Sequence, residues 1–221
     1  LDMIEWMRSY NETAEEPLHF VGFDMQFPNV AAEELRAFLS EADPDYLAEI
    51  EPVLAGVEEL YSLTEAPDPE AVGDLEEEAA EIVSTLESNR ASYTSELDGQ
   101  SVEHAIQNAR VVEQAVGVIE GGVAYRDLAM ARNVQWLLEQ YPGEKMVIWA
   151  HNGHVAEAEN WMGGHLDEAL GDDYFSVAFS FYEGEYRAVA EGGVGVNTAD
   201  PALEGSIDYV FDQVGPENFY L

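Results

Sequence analysis

The alternation of apolar runs with amphipathic stretches predicts an α/β protein. The expected architecture is a mixed, mainly parallel sheet flanked by helices, with a long helical insertion between the first strand and a later one. Three observations predict it. Met146-Val147-Ile148-Trp149 is an uninterrupted apolar run that reads as a strand buried on both faces. It breaks at once into Ala150-His151-Asn152-Gly153-His154, and Val155 to Glu159 has helical composition. Polar residues at the carboxyl end of a buried strand, just before a helix, occupy the place where open α/β sheets build their sites. An earlier run, His19 to Phe23, ends in the same manner, on Asp24 and Gln26.

Taken in order, Met3, Trp6, Met7 and Tyr10 recur at helical spacing, so the chain opens in an amphipathic helix that Asn11 can end. After the His19–Phe23 strand, Phe27-Pro28-Asn29 is a break and Glu33 to Leu39 a short helix. Asp43-Pro44 reads as an N-cap followed by a first-turn proline. That helix uses Leu47, Ile50, Leu54, Val57 and Tyr61, with Pro52 inside it. Pro67-Asp68-Pro69 is expected to be a linker. A long stripe of Leu75, Ala79, Ile82, Leu86, Tyr93 and Leu97 follows, ending at Asp98-Gly99. Ser101 is expected to cap the next helix, which turns Ala105, Ala109, Val112, Val116 and Ile119 inward until Gly121-Gly122 stops or bends it. Residues of about 43–122 therefore form the helical insertion of a single domain spanning residues 1–221.

Tyr125 to Tyr141 is another helix, halted by Pro142-Gly143. Its stripe of Arg126, Met130, Asn133 and Leu137 places an arginine and an amide among apolar side chains. In a chain this poor in arginine, Arg126 is a candidate site residue, the alternative being a first-turn side chain that reaches solvent. Beyond the second strand come the glycine-rich Trp161 to His165 and a helical stretch to Leu170. Phe175–Tyr182 and Glu185–Ala190 read as strands joined at Glu183-Gly184, a hairpin signal. Gly192 to Leu221 reads as loop-rich, with a short strand or helix near Tyr209-Val210-Phe211. Trp6, Trp149 and Trp161 are expected in the core, Trp161 also as a candidate pocket wall.

The charge balance is extreme: 46 acidic residues against 8 basic ones, a formal charge of −38, with Lys145 the sole lysine. The acids spread over every expected helix face. Such a field repels nucleic acid and anionic membranes, so neither is expected as a partner. It suits a protein working in concentrated salt, where repulsion is screened within a few Å. No apolar run approaches a membrane-spanning helix in length. The chain has no cysteine, which excludes disulfides, thiolate catalysis and thiolate metal sites. It starts at Leu1 and is expected to begin inside a longer protein, so a missing leader carries no weight.

Two of the five histidines, His151 and His154, sit three residues apart beside a helix start. A helix N-terminus disfavours imidazolium and keeps a ring available as a base. Either histidine can then deprotonate water while Arg126 holds the developing oxyanion, a recipe for metal-free hydrolysis or acyl transfer. The competing reading is a metal-dependent hydrolase using the histidine pair with Asp24. His-x-x-His is not the spacing of a zinc-protease helix, however. There is no Gly-x-Ser-x-Gly elbow, P-loop or dinucleotide fingerprint, and Gly192-Gly193-Val194-Gly195 is too loose to serve as one.

Trp6-Met7-Arg8-Ser9-Tyr10-Asn11, Gly22-Phe23-Asp24-Met25-Gln26, Tyr125 to Asn133 and Trp149-Ala150-His151-Asn152-Gly153-His154 occur in that order. Together they resemble the erythromycin esterase family, in a version from a halophile. The resemblance implies a metal-independent carboxylic ester hydrolase, associated with antibiotic resistance, that opens a macrolide lactone by histidine-assisted attack of water. It implies an α/β sheet with a helical insertion framing a cleft, no cofactor, and a small ester or lactone as substrate. His151 becomes a catalytic residue and His154 a second candidate, with Arg126, Asp127, Asp24 and Arg8 as substrate-binding or second-shell residues; Asn133 joins them from its place on the stripe. The family's Gly-Glu-x-x-His-Gly element has no counterpart here, and the chain stops before the family's usual end, so the resemblance implies a domain incomplete at both ends. A catalytically inactive or ligand-binding relic of the fold therefore stands as the alternative. The expected location is the cytoplasm of a salt-accumulating halophile.

Overall fold

The computed structural model describes residues 2–63, 66–190 and 193–214. Five helices come first: α1 (Asp2–Asn11), α2 (Asn29–Ala42), α3 (Pro44–Leu60), α4 (Pro69–Glu96) and α5 (Gly99–Gln140). Then follow α6 (Asn152–Val155), α7 (Met162–Leu170), the strands β1 (Gly184–Ala190) and β2 (Gly193–Ala199), and α8 (Ile207–Val214).

Short polar side chains start the long helices. Asp43 Oδ1 accepts the Tyr46 amide at 3.1 Å, ahead of the first-turn Pro44. Asp68 does the same for Glu70 at 3.0 Å, so the stretch expected to be a linker is a cap with Pro69 in the first turn. Asp98, rather than Ser101, caps α5, accepting the Ser101 amide at 2.9 Å. A carboxylate at this position satisfies one free amide and also meets the positive end of the helix.

Within α5 the helix breaks at Gly122, whose φ of 61° and ψ of −151° lie where only glycine is comfortable. The chain folds back on itself there. A Cβ on Gly117 or Gly121 would come within 2.5 and 2.4 Å of the Tyr125 side chain, so both glycines are needed for the two arms to close. The resulting antiparallel hairpin also pairs the His104 and Trp136 rings, 5.3 Å apart and edge to face.

The first arm of α5 packs with α2, α3 and α4 around Leu35, Leu39, Leu54, Val57, Leu86 and Ile106. Arg36 ties α2 to α3, reaching Glu51 at 3.0 Å and Glu58 at 2.7 Å. The hydrogen bonds to Glu58 and Glu51 raise its pKa further, against the opposing effect of burial. A second core joins the other arm of α5 to α7. It holds Met25, Met130, Val134, Val155, Met162 and Leu166, with Ile148, Ala150 and Tyr174 against it.

The sheet departs from expectation. His19–Phe23, Met146–Trp149 and Phe175–Tyr182 are non-helical, and none belongs to a ladder. The sheet among the described residues is the antiparallel pair β1–β2, in the register Gly184 to Ala199 and Ala190 to Gly193. A mainly parallel sheet is therefore not assembled among them. A helix closes its hydrogen bonds within itself, whereas a strand needs a neighbour, and among the described residues these segments have no ladder partner. The run at 146–149 is also not buried on both faces: Met146 and Ile148 lean on the second core, while Val147 and Trp149 point outward.

The hairpin is shifted too. Phe175–Tyr182 does not turn back through Glu183-Gly184; β1 starts at Gly184 and pairs with β2, in the region read as loop-rich. The connection falls at residues 191–192, outside the described residues, and Gly193 beyond it has a φ of 116°. Tyr209 to Phe211 lie in helix α8. Trp6, Trp149 and Ile119, expected inside, are exposed. No helix among the described residues is long and apolar enough to cross a membrane.

Candidate active site

The polar cluster forms where three segments meet: the extended stretch ending at Asp24, the second arm of α5, and the turn after Ala150. His151 is the N-cap of the one-turn α6, and its Nδ1 accepts the Gly153 amide at 3.0 Å. That bond leaves the Nε2 of His151 as the protonated, donating nitrogen. The turn carries His154 round to the side of Arg126.

His154 is held from behind. Its Nδ1 donates to Asp127 Oδ1 at 2.8 Å, and the same oxygen accepts the Met162 amide at 2.8 Å. Asp127 is fully buried, and its Oδ2 has no hydrogen-bond partner among the described residues. Glycine makes this geometry possible. A Cβ on Gly163 or Gly164 would lie 2.3 Å from the Val155 carbonyl oxygen or 2.1 Å from that of Ala158. Only without those side chains does α7 come close enough to aim the Met162 amide at Asp127.

With Nδ1 as the donor, Nε2 of His154 keeps its lone pair and lies 3.4 Å from Arg126 Nη1. Arg126 is pinned in turn by Asp24, Nε to Oδ1 at 3.1 Å and Nη2 to Oδ2 at 2.6 Å. This two-pronged carboxylate contact raises the arginine pKa above its ordinary value against the opposing effect of burial. The Trp161 ring, expected in the core or as a pocket wall, is partly exposed and meets His154 edge on at 5.8 Å, and it lines neither of the cavities that flank the cluster. Tyr61, at the end of α3, donates to the Ala115 carbonyl at 2.8 Å; burial, then the Asp24 charge, push its pKa up to about 12.

The structure therefore brings Asp24, Arg126, Asp127 and His154 into one chain of contacts, with His151 at the head of the same turn. Arg126 takes the inward position rather than the solvent-facing one. Arg8 lies elsewhere, exposed on α1 and 3.8 Å from Glu5. Asn133 is buried and bonded to Gln107, Gln114 and the Phe23 carbonyl, beneath the cluster rather than facing it. Among the described residues no three His, Cys, Asp or Glu side chains converge as a ligand set for a metal.

Two cavities flank the cluster. One of about 230 Å³ is lined by Asp24, His104, Gln107, Asn133 and Trp136. The other, about 1200 Å³ and largely apolar, runs between residues 143–150 and 173–179. Neither is lined by His151, His154 or Arg126, so the hydrogen-bond geometry, not hollow space, marks the chemistry here. Sequence reasoning missed Gln107, Gln114, Tyr61 and the Met162 amide. The glutamines left a signal, being two amides seven residues apart on an otherwise apolar helix face.

Comparison with known proteins places this geometry in context. A family model described as "Erythromycin esterase" matches residues 1–221. The type II erythromycin esterase of Escherichia coli is 25% identical over an alignment of 221 residues, covering 83% of this chain and 52% of that protein. The chain thus spans about half the length of this curated relative. A crystal structure of a Bacillus cereus protein superposes with a TM-score of 0.83 at 24% identity, covering 97% of this chain and 57% of the other. A histidine-to-asparagine mutant of the erythromycin esterase EreC, in its open conformation, gives a TM-score of 0.75 at 18% identity, covering 97% and 62%. The two structures share the fold, and the family model extends over every residue from Leu1 to Leu221: the chain belongs to the erythromycin esterase family.

Proposed function

We propose that this chain carries the histidine centre of a metal-independent carboxylic ester hydrolase, acting on a small ester or macrolactone. The observation that supports it most directly is the relay from buried Asp127 through His154 to Arg126. A base oriented by a carboxylate, with a guanidinium in contact with its other nitrogen that water must displace, is an arrangement that can activate water next to a carbonyl. In the proposed step His154 Nε2 takes a proton from water as its oxygen bonds to the carbonyl carbon. The negative charge that develops on the carbonyl oxygen falls to Arg126. Collapse breaks the ester C–O bond, and the leaving alkoxide takes the proton that His154 Nε2 received from water, while the Nε2–H of His151 donates a hydrogen bond to the leaving oxygen. Geometry favours His154 over His151 as the base, since only His154 has a carboxylate behind it. The reading extends to the fold: the unpaired extended segments are proposed as strands of a mainly parallel sheet completed by further polypeptide.

The test is hydrolysis of p-nitrophenyl acetate and of macrolactones at molar salt. His154→Ala is expected to lower turnover by ~10²–10⁴-fold, with an unchanged circular dichroism spectrum. Full turnover in that variant removes His154 from the mechanism. A second reading, an inactive or ligand-binding relic, draws on the unpartnered Asp127 Oδ2. It predicts no turnover by the unaltered chain while lactones still bind.

A further inference from the structure

Between the two arms of α5, where an apolar seam would close the hairpin, three amides meet. Gln107 Nε2 donates to Asn133 Oδ1 at 2.8 Å, and Gln114 Nε2 donates to the same oxygen at 3.0 Å. Asn133 Nδ2 returns one bond to Gln114 Oε1 at 2.8 Å and sends the other to the Phe23 carbonyl at 2.9 Å. All three side chains are buried, and Asn133 uses both donors and accepts twice. Burying amides is expensive unless their bonds are made, and Asn133, at the centre, makes all of its own. The far end of the same hairpin closes without any of this, through Tyr125 on Gly117 and Gly121. Packing alone therefore does not call for the amides.

Their output is the bond that leaves the hairpin. Phe23 precedes Asp24, and among the described residues no backbone–backbone hydrogen bond reaches residues 19–27. The segment bearing Asp24 is held instead by the Asn133 contact on one side and by fully buried Met25 on the other. Asp24 then fixes both nitrogens of Arg126 that it touches, which leaves Nη1 directed at His154.

We infer that Gln107, Gln114 and Asn133 are positioning residues: an amide clamp that fixes the Phe23–Asp24 backbone and, through Asp24, the guanidinium of Arg126 beside His154. The clamp serves catalysis only if the esterase reading above holds, but its structural effect is measurable without turnover.

The decisive variant is Asn133→Asp, which keeps an acceptor for both glutamines and deletes both donated bonds, the one to the Phe23 carbonyl and the one to Gln114 Oε1. In ¹⁵N-labelled protein, the Arg126 Nε–H resonance is expected to move to the position it takes in Asp24→Asn. The backbone amides of α2–α4 should stay in place. Turnover of p-nitrophenyl acetate should fall by ~10–100-fold in kcat with little change in KM, as for the loss of other outer-shell partners. Gln114→Leu, which removes the reciprocal partner without adding charge, should shift the same resonance part of the way, and it serves if Asn133→Asp does not fold. An Arg126 resonance unmoved in a folded variant overturns the clamp. If the unaltered protein turns over no ester, the esterase reading fails, and the Arg126 resonance still decides the clamp by itself.

Discussion

In the helical block formed by α2 to α5, Leu54 and Leu86 are wholly buried; on the stretch before α6, Val147 and Trp149 are 93% and 81% exposed. Both sets lie in apolar patterns of comparable strength. The difference is in how each segment meets its backbone's demand for hydrogen bonds. α4 satisfies its own and needs only an apolar stripe to find α5. The 146–150 segment packs Met146, Ile148 and Ala150 on one side but depends on neighbouring strands for the rest. The ion pairs follow the same division. Arg36 with Glu51 and Glu58, Arg90 with Glu103, and Arg110 with Glu87 all join helices of the block. The pairs that reach out of the block are Arg126 with Asp24 and Asp127 with His154, both at the candidate site.

That contrast can be broken by substitution. Leu86→Ala should cost about 2–5 kcal/mol in urea unfolding, whereas Trp149→Ala should stay within about 0.5 kcal/mol. Equal losses would mean that the extended half is as tightly packed as the bundle. Next in size is the effect of salt. With 46 acids against 8 basic residues, raising KCl from about 0.1 M to about 1 M shortens the screening length from about 10 Å to about 3 Å. The melting temperature should climb across that range, and a flat profile would discard the picture of a chain adapted to salt. Asp43→Ala removes the cap of α3 and should cost about 1 kcal/mol, read from the same unfolding curves.

The smallest effect concerns Glu113, on the inner arm of α5. Burial first, then Glu76, raise its pKa, with Arg110 and Arg132 pulling the other way. A carboxyl whose folded pKa is raised favours the folded state below the ordinary glutamate range, and this contribution is lost as pH rises through the folded value. Glu113→Gln should therefore stabilise the protein at neutral pH, and the gain should vanish below about pH 4. A gain that persists in acid would mean the charge was never the cause.

Much of the helical block was legible residue by residue. The Leu75-to-Leu97 stripe, the Asp43-Pro44 start and the Gly121-Gly122 break all correspond to observed features. The corrected caps, Asp68 and Asp98, are residues whose local signal was read as linker or overlooked. At the site, His154, Arg126, Asp127 and Asp24 were each visible as candidates, but their ranking was not: His151 reads as strongly as His154 until Asp127 is found behind only one of them. Gln107 and Gln114 stayed hidden because a glutamine on a helix is ordinarily solvated. Their role exists only once the chain has doubled back at Gly122.

Helix periodicity, caps and breaks are local, so they can be read along the chain wherever 3.6-residue spacing and a short polar side chain coincide. Strand pairing and the aiming of side chains are not. Whether Met146–Trp149 is buried on one face or two, which histidine gains a carboxylate, and what holds Asp24 against Arg126 all depend on residues distant in sequence, 27 to 110 positions apart for the site's hydrogen bonds. Those contacts are set by packing across the fold, where the cost of a buried group is met only by the partner brought opposite it.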